Sequence, residues 1–365
     1  MHTFQRGVRR PIFVVLLIAV AALLIQPAAA QVDNVYLKTN LISDDPSVFP
    51  GTVADPNLIN GWGIAASSGS PWWVSSADMS VATLYTGGGA VRSLVVNVSG
   101  NPTGIVFYGG AGFPVTNGTT TAPAVFLFAA EDGSISGWNP GVLPPGGAAP
   151  STQAWVGLPA AGGASYKGLA VARTDAGDFL YAADFHNAKV DIINSAWEVV
   201  SDDTTFVDPQ LPSGYAPFGI QNINGRIFVT YGKQDEEAEE EVAGAGLGVV
   251  SVFDTTGAFL ARVATGGALN APWGLALAPA QFGRFSGDLL VGNFGDGRIN
   301  AFDFETFEPR GHLKGANHRP IVVDGLWGIG FGKNNNDGSG FPNVLYFAAG
   351  PEEEAHGLFG KIEAQ

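Results

Sequence analysis

GWGIAASSGSPWWVSSADMS (61–80) sets the pattern of the whole chain. It reads as a tryptophan, a glycine and an aliphatic residue, then a small-residue turn, then an apolar run that stops at an aspartate. The pattern returns as PWGLALAPAQFGRFSGDLLVGNFGDG (272–297) and as LWGIGFGKNNNDGSGFPNVLYFAAG (326–350). Aligned on glycine followed by an aliphatic residue, six units emerge, at Gly63, Gly104, Gly168, Gly219, Gly274 and Gly328. Their spacing of roughly 40–65 residues is that of a repeat architecture. Each unit continues with a second apolar run, such as AVFLFAA (124–130), DFLYAADF (178–185) or RIFVTYG (226–232), then a turn and a third run, such as KVDII (189–193) or RINAFD (298–303).

These runs are short, rich in β-branched and aromatic residues, and bounded by Gly, Asn, Asp and Pro, which is the signature of strands. Three or four strands in each of six units predict an all-β, six-bladed β-propeller. The glycine segment is then the innermost strand, where backbones crowd about the axis. The last unit ends at Gln365 directly after its third run, and NVYLKTNLIS (34–43) has no unit of its own. That orphan segment is expected to supply the outer strand of the last blade and so to protect an open edge.

Composition agrees with such a fold. Of 365 residues, 51 are glycine, 46% are hydrophobic and 14% charged. Residues 1–30 read as a secretory leader: Arg6, Arg9 and Arg10 precede the apolar stretch from Pro11 to Ile25, and Ala28-Ala29-Ala30 ends it. The propeller domain is accordingly assigned to 31–365, and the expected location is the periplasm or the medium. The stretch is short for a membrane span. There is no cysteine, hence no disulfide and no thiolate metal site. A formal charge of −15 sets the chain against nucleic acid and anionic membranes. The expected state is a monomer without stable membrane insertion.

YAADFHNAKVDII (181–193) and LVGNFGDGRINAFD (290–303) resemble NHL-type repeats. The chain from about residue 34 onward is similar to a family of uncharacterised secreted bacterial six-bladed propellers. DPNLINGWGIA (55–65), PWWVSSAD (71–78), Lys233-Gln234-Asp235, APWGLALAP (271–279) and LYFAAGPEEEAHGLFGKI (345–362) carry that likeness. The wider fold class implied by the resemblance holds calcium-dependent lactonases and phosphotriesterases beside plain binding propellers, so fold alone does not decide function.

Ligands of such folds sit at one mouth of the central channel. The residues before the six glycines, Trp62, Thr103, Lys167, Phe218, Trp273 and Trp327, are expected to rim it. Four of the six are aromatic, and they form either a stacking platform for a sugar or a packed plug. Asn60, Trp62, Lys167, Phe218, Trp273, Trp327, Glu353 and His356 are the candidate binding residues. His356 beside glutamates is also a possible acid–base or metal pair. No cofactor is required by the sequence. Calcium is the candidate, with Asp55, Asn60, Asn270 and Asp324 as possible oxygen donors or, alternatively, as turn caps. The acidic run QDEEAEEEV (234–242) is expected to be a solvated loop of the fourth blade. No nucleophile elbow, Walker loop or HExxH motif occurs. The expected function is binding of a small molecule, a glycan or an extracellular protein at the channel mouth, with a metal-dependent hydrolase as the alternative and a structural envelope protein as the third reading.

Overall fold

The computed structural model describes residues 1–3, 7 and 35–365. The leader expected over 1–30 therefore lies outside the described residues almost entirely. No helix of the described residues is long and apolar enough to cross a membrane.

Six blades follow one another along the chain; five are antiparallel sheets of strands taken in chain order, and the sixth combines C-terminal strands with N-terminal ones. Their innermost strands are Gly61–Ala65, Pro102–Phe107, Tyr166–Thr174, Tyr215–Ile223, Pro272–Leu277 and Leu326–Phe331, and each carries one of the six repeat glycines. Blades 1, 2, 4 and 5 have four strands, and blade 3 has three, ending at Lys189–Asn194. In blade 6 the N-terminal strand Tyr36–Ser43 pairs antiparallel with the C-terminal strand Leu358–Ala364, from Tyr36 opposite Ala364 to Ser43 opposite Leu358. This is the clasp that the orphan segment foretold. It joins the chain ends and covers the outer edge of Leu358–Ala364.

The glycine ring closes the circle. A Cβ on Gly63, Gly274 or Gly328 would lie 2.6 Å from the backbone oxygen of Thr103, Trp327 or Trp62, each in the next blade. Gly168 and Gly219 meet Phe218 and Trp273 in the same way, and Gly104 meets Leu169. Six inner strands reach van der Waals contact around one axis only because these positions have no side chain.

Between neighbouring blades lie six apolar clusters, with a seventh on the axis. The strand alternation explains them. Trp72 packs toward blade 6 and Trp73 toward blade 2, on opposite faces of one strand, and both are buried. Leu345 and Phe347 face blade 5, whereas Val344, Tyr346 and Ala348 face blade 1. Strands buried on both faces read as unbroken apolar runs rather than alternating ones. That is why the second run of each repeat was so legible.

Candidate functional site: two mouths of one channel

At one end of the channel the expected aromatic rim is present, and it is a plug. Trp62 and Trp327 stack at 3.6 Å between ring centres, and Trp273 meets both edge-on at 6.0 and 5.8 Å. Phe218 packs edge-on against Trp327, and Phe294, a residue the repeat did not single out, stacks on it at 4.1 Å. All six rim residues are buried. The Trp327 indole donates to Asn60 Oδ1 and the Trp273 indole to the Lys167 carbonyl, whereas the buried Trp62 Nε1 has no partner. Thr103, the small member of the ring, donates to the Tyr166 carbonyl of the next blade. The rings spend their faces on one another, so the exposed stacking platform open to the sequence reading is not formed.

Above this plug lie the turns between second and third strands. They carry an acidic set around one ammonium. Lys167 is 1% exposed, bonds Glu131 and lies 3.5 Å from Glu240 Oε2. Its Nζ also sits 5.4 Å from the centre of the Trp62 ring. Burial pulls the Lys167 ammonium down, but the carboxylates of Glu131 and Glu240 outweigh it and hold it above the ordinary lysine range. Burial pushes Glu241 up to about 8 and Glu354 up to about 7, helped by their acidic neighbours. Glu241 Oε2 is buried with no hydrogen-bond partner.

Two expectations change here. The run 234–242 is not uniformly solvated: Asp235 N donates to the Glu240 carbonyl and Val242 N to that of Lys233, which folds Glu240 and Glu241 back toward Lys167. In the 351–360 segment, Glu353 is exposed, and Glu354 is the residue that faces the acidic set. Glu352, Glu353 and Glu354 all have left-handed backbone, with φ of 56°, 55° and 67°, a strained turn for L-residues. Sequence could not single out one of three adjacent glutamates, because the turn conformation decides which one points inward.

His356 does not pair with Glu353. Its Nδ1 lies 2.7 Å from Asp44 Oδ2, while Asp44 Oδ1 accepts from Gly357 N. The Asp44 hydrogen bond holds the imidazole above its ordinary pKa. The pair ties the clasp to the last blade, 312 residues apart in sequence.

The possible calcium donors are engaged separately. Asp55 accepts from Tyr85 OH and from Asn57, and Asn60 joins Trp327 and Asp78. Asn270 accepts from Gly244 N, and Asp324 from Glu352 N. As oxygen donors they do not converge, and among the described residues no group of three or more acids and histidines is gathered for a metal. The residues as placed do not fit a calcium ion, and the cation amid the nearby acids is Lys167 itself.

The opposite mouth is open. A cavity of about 510 Å³ is lined by Ile64, Ile105, Leu275 and Ile329, the aliphatic partners of the repeat glycines, with Trp72, Phe107 and Phe331 at the wall. Its polar lining is Gln221, Asn222, Asn224 and Lys333. A narrow neck continues from it past Leu169 and Ile220 to the underside of Trp273. Lys333 Nζ donates to the Ala66 carbonyl at 2.6 Å, and among the described residues it forms no salt bridge. Burial alone lowers its pKa. Of these lining residues only Trp273 is a candidate in the sequence reading. The signal in the sequence is the aliphatic position after each repeat glycine, which lies on the innermost strand.

This geometry defines a six-bladed β-propeller whose channel is sealed at one end and hollow at the other. No family model matches the chain. It is 34% identical over 322 residues to uncharacterized protein R648 of Acanthamoeba polyphaga mimivirus, covering 84% of this chain and 76% of that one. It is 32% identical over 320 residues to uncharacterized protein L690 of the same virus, covering 84% and 81%. The chain belongs to the family of these mimivirus proteins. The bacterial setting expected from the resemblance is therefore corrected: the family includes viral members. Among solved structures a glucose dehydrogenase superposes with a TM-score of 0.53 over 90% of this chain and all of that one, at 14% identity, which shows the shared fold alone.

Proposed function

We propose that the protein is an extracytoplasmic binding propeller that takes a small amphipathic anion in its open channel mouth. The observation that carries this reading is Lys333, an exposed side chain whose ammonium has no carboxylate partner among the described residues and is partly desolvated at the wall of a 510 Å³ cavity. A desolvated cation lacking a counter-ion is costly unless one arrives. In a chain of formal charge −15, an acid-free lysine at a cavity stands out. The aliphatic ring supports an apolar body for the ligand, and Gln221 and Asn224 offer hydrogen bonds to its polar end. The cavity volume falls within the roughly 300–1,000 Å³ usual for small-molecule sites. The leader sequence supports action outside the cytoplasm.

The test is a titration of the full chain with alkyl and aryl carboxylates, followed by calorimetry and thermal shift, since a ligand of the folded state raises its stability. Binding that is lost in Ile329→Trp, which fills the cavity, and weakened about tenfold in Lys333→Gln is the expected result. Binding equal in both variants, or none to any carboxylate, refutes the reading.

A further inference from the structure

Blade 3 stops at three strands. Where its fourth would run, the chain from 199 to 211 passes the third strand and bonds it at Asp191, Ile192 and Ile193. Beneath that crossing is a second cavity, of about 350 Å³, between blades 3 and 4, whose lining shares no residue with the open mouth. One wall is apolar, from Phe206 and Leu211. The other carries Asp191, Ser201 and Asp208, together with Tyr231.

Tyr231 is the informative residue. It is 1% exposed, it lines the cavity, and its hydroxyl has no hydrogen-bond partner. The other buried tyrosines of comparable setting are satisfied: Tyr85 by Asp55, Tyr166 by Asp191, Tyr181 by the Thr255 carbonyl and Tyr346 by the Gly87 carbonyl. A buried hydroxyl left unpaired destabilises the fold, and phenylalanine would fill the same space without that loss.

The surroundings are held in place before any ligand arrives. Asp208 accepts from Ser251 Oγ, from Arg262 and from Gln210 N. Asp191 is held by Lys189, Ser201 and Tyr166. The lining acids Asp191, Asp202, Asp203 and Asp208 outnumber the cations Lys189 and Arg262, so the local charge excludes anions. An apolar wall facing fixed oxygen acceptors and one free hydroxyl matches a ring that has a C–H face and hydroxyl edges.

We infer that the cavity between blades 3 and 4 is a binding site for a neutral polyol of monosaccharide size, with the Tyr231 hydroxyl bonded to one ligand hydroxyl and Phe206 against its apolar face. A site built to pair a hydroxyl loses affinity when that pairing group is removed.

The experiment is saturation-transfer NMR and calorimetry on the full chain with glucose, xylose, myo-inositol and glycerol, and with ethanolamine and putrescine as cationic probes. Binding of a ring polyol in preference to glycerol and to both amines is expected. Tyr231→Phe weakens it about five- to tenfold, while the melting temperature of the ligand-free protein stays level or rises. Val199→Trp, at the exposed lip of the cavity, abolishes it. Thermal stability lost in Tyr231→Phe marks a structural hydroxyl and overturns the proposal. So does equal polyol affinity in wild type and both variants, preference for an amine, or no polyol signal in the wild type at millimolar concentration.

Discussion

Two lysines stand at opposite ends of one channel, and their surroundings differ completely. Lys167, over the tryptophan plug, is bonded to Glu131 and Glu240 within an acidic set and is held above the usual lysine pKa. Lys333, at the open mouth, has a carbonyl and no acid, and burial lowers it. Lys167 is buried and Lys333 is exposed, and desolvation of the ammonium acts on both. The difference is the counter-ion. At the sealed end it is built into the chain, so the ammonium serves as part of the structure. At the hollow end it is missing, and a ligand can supply it. A lysine in a sequence does not announce which of these it is, because its partners come from other blades.

The largest expected effect breaks both ends at once. Gly219→Val puts a branched side chain onto the backbone carbonyl of Trp273 in the next blade. Over-packing at a backbone contact that cannot yield is expected to cost about 3 kcal/mol or more, read as loss of the cooperative melt or a steep fall in denaturation midpoint. An unchanged midpoint would mean the inner strands do not close on one another.

Next comes the direct contrast of the lysines. Lys167→Met leaves Glu131 beside the plug without its cation, and breaking a buried pair costs about 3–5 kcal/mol. Lys333→Met removes a partly desolvated cation that has no anion and keeps a side chain of similar length, so stability is expected to hold or rise. Urea denaturation of the two variants decides it. Equal losses would erase the distinction between the two mouths.

The smallest effect is a pH dependence confined to the sealed end. Glu241 is held at about 8 in the folded protein and titrates near 4.3 when unfolded. Between those values the folded chain keeps a proton that the unfolded chain has released. Stability therefore falls as pH rises from about 4.3 to about 8, and the loss is complete above that. Glu354, held at about 7, adds to the same slope over a narrower window. Glu241→Gln is expected to flatten the fall, with melting temperature a few degrees above wild type at alkaline pH and close to it at mildly acidic pH. A parallel pair of curves would show that the Glu241 carboxyl is not desolvated.

The blade count, the inner glycines and the N-terminal clasp were legible in the sequence because each rests on a local requirement. A strand buried on both faces must read as an apolar run, as at Trp72-Trp73-Val74. A glycine is needed wherever inner strands touch. An unpaired terminal segment such as Tyr36–Ser43 must find an edge. What the tertiary structure decided was direction and partnership. Whether Trp62, Trp273 and Trp327 face a ligand or one another depends on rings contributed by three different blades, and at the axis they satisfy each other. His356 hydrogen-bonds Asp44 across the clasp and keeps Glu352 at 3.8 Å on its other nitrogen, and Glu354 rather than Glu353 faces Lys167, in a turn of left-handed backbone. The empty mouth lined by Ile64, Ile105 and Ile329 came from the same aliphatic positions that built the core. Hydrophobicity fixes that those residues leave water as the strands assemble; only the radius of the closed ring decides that a hollow remains between them.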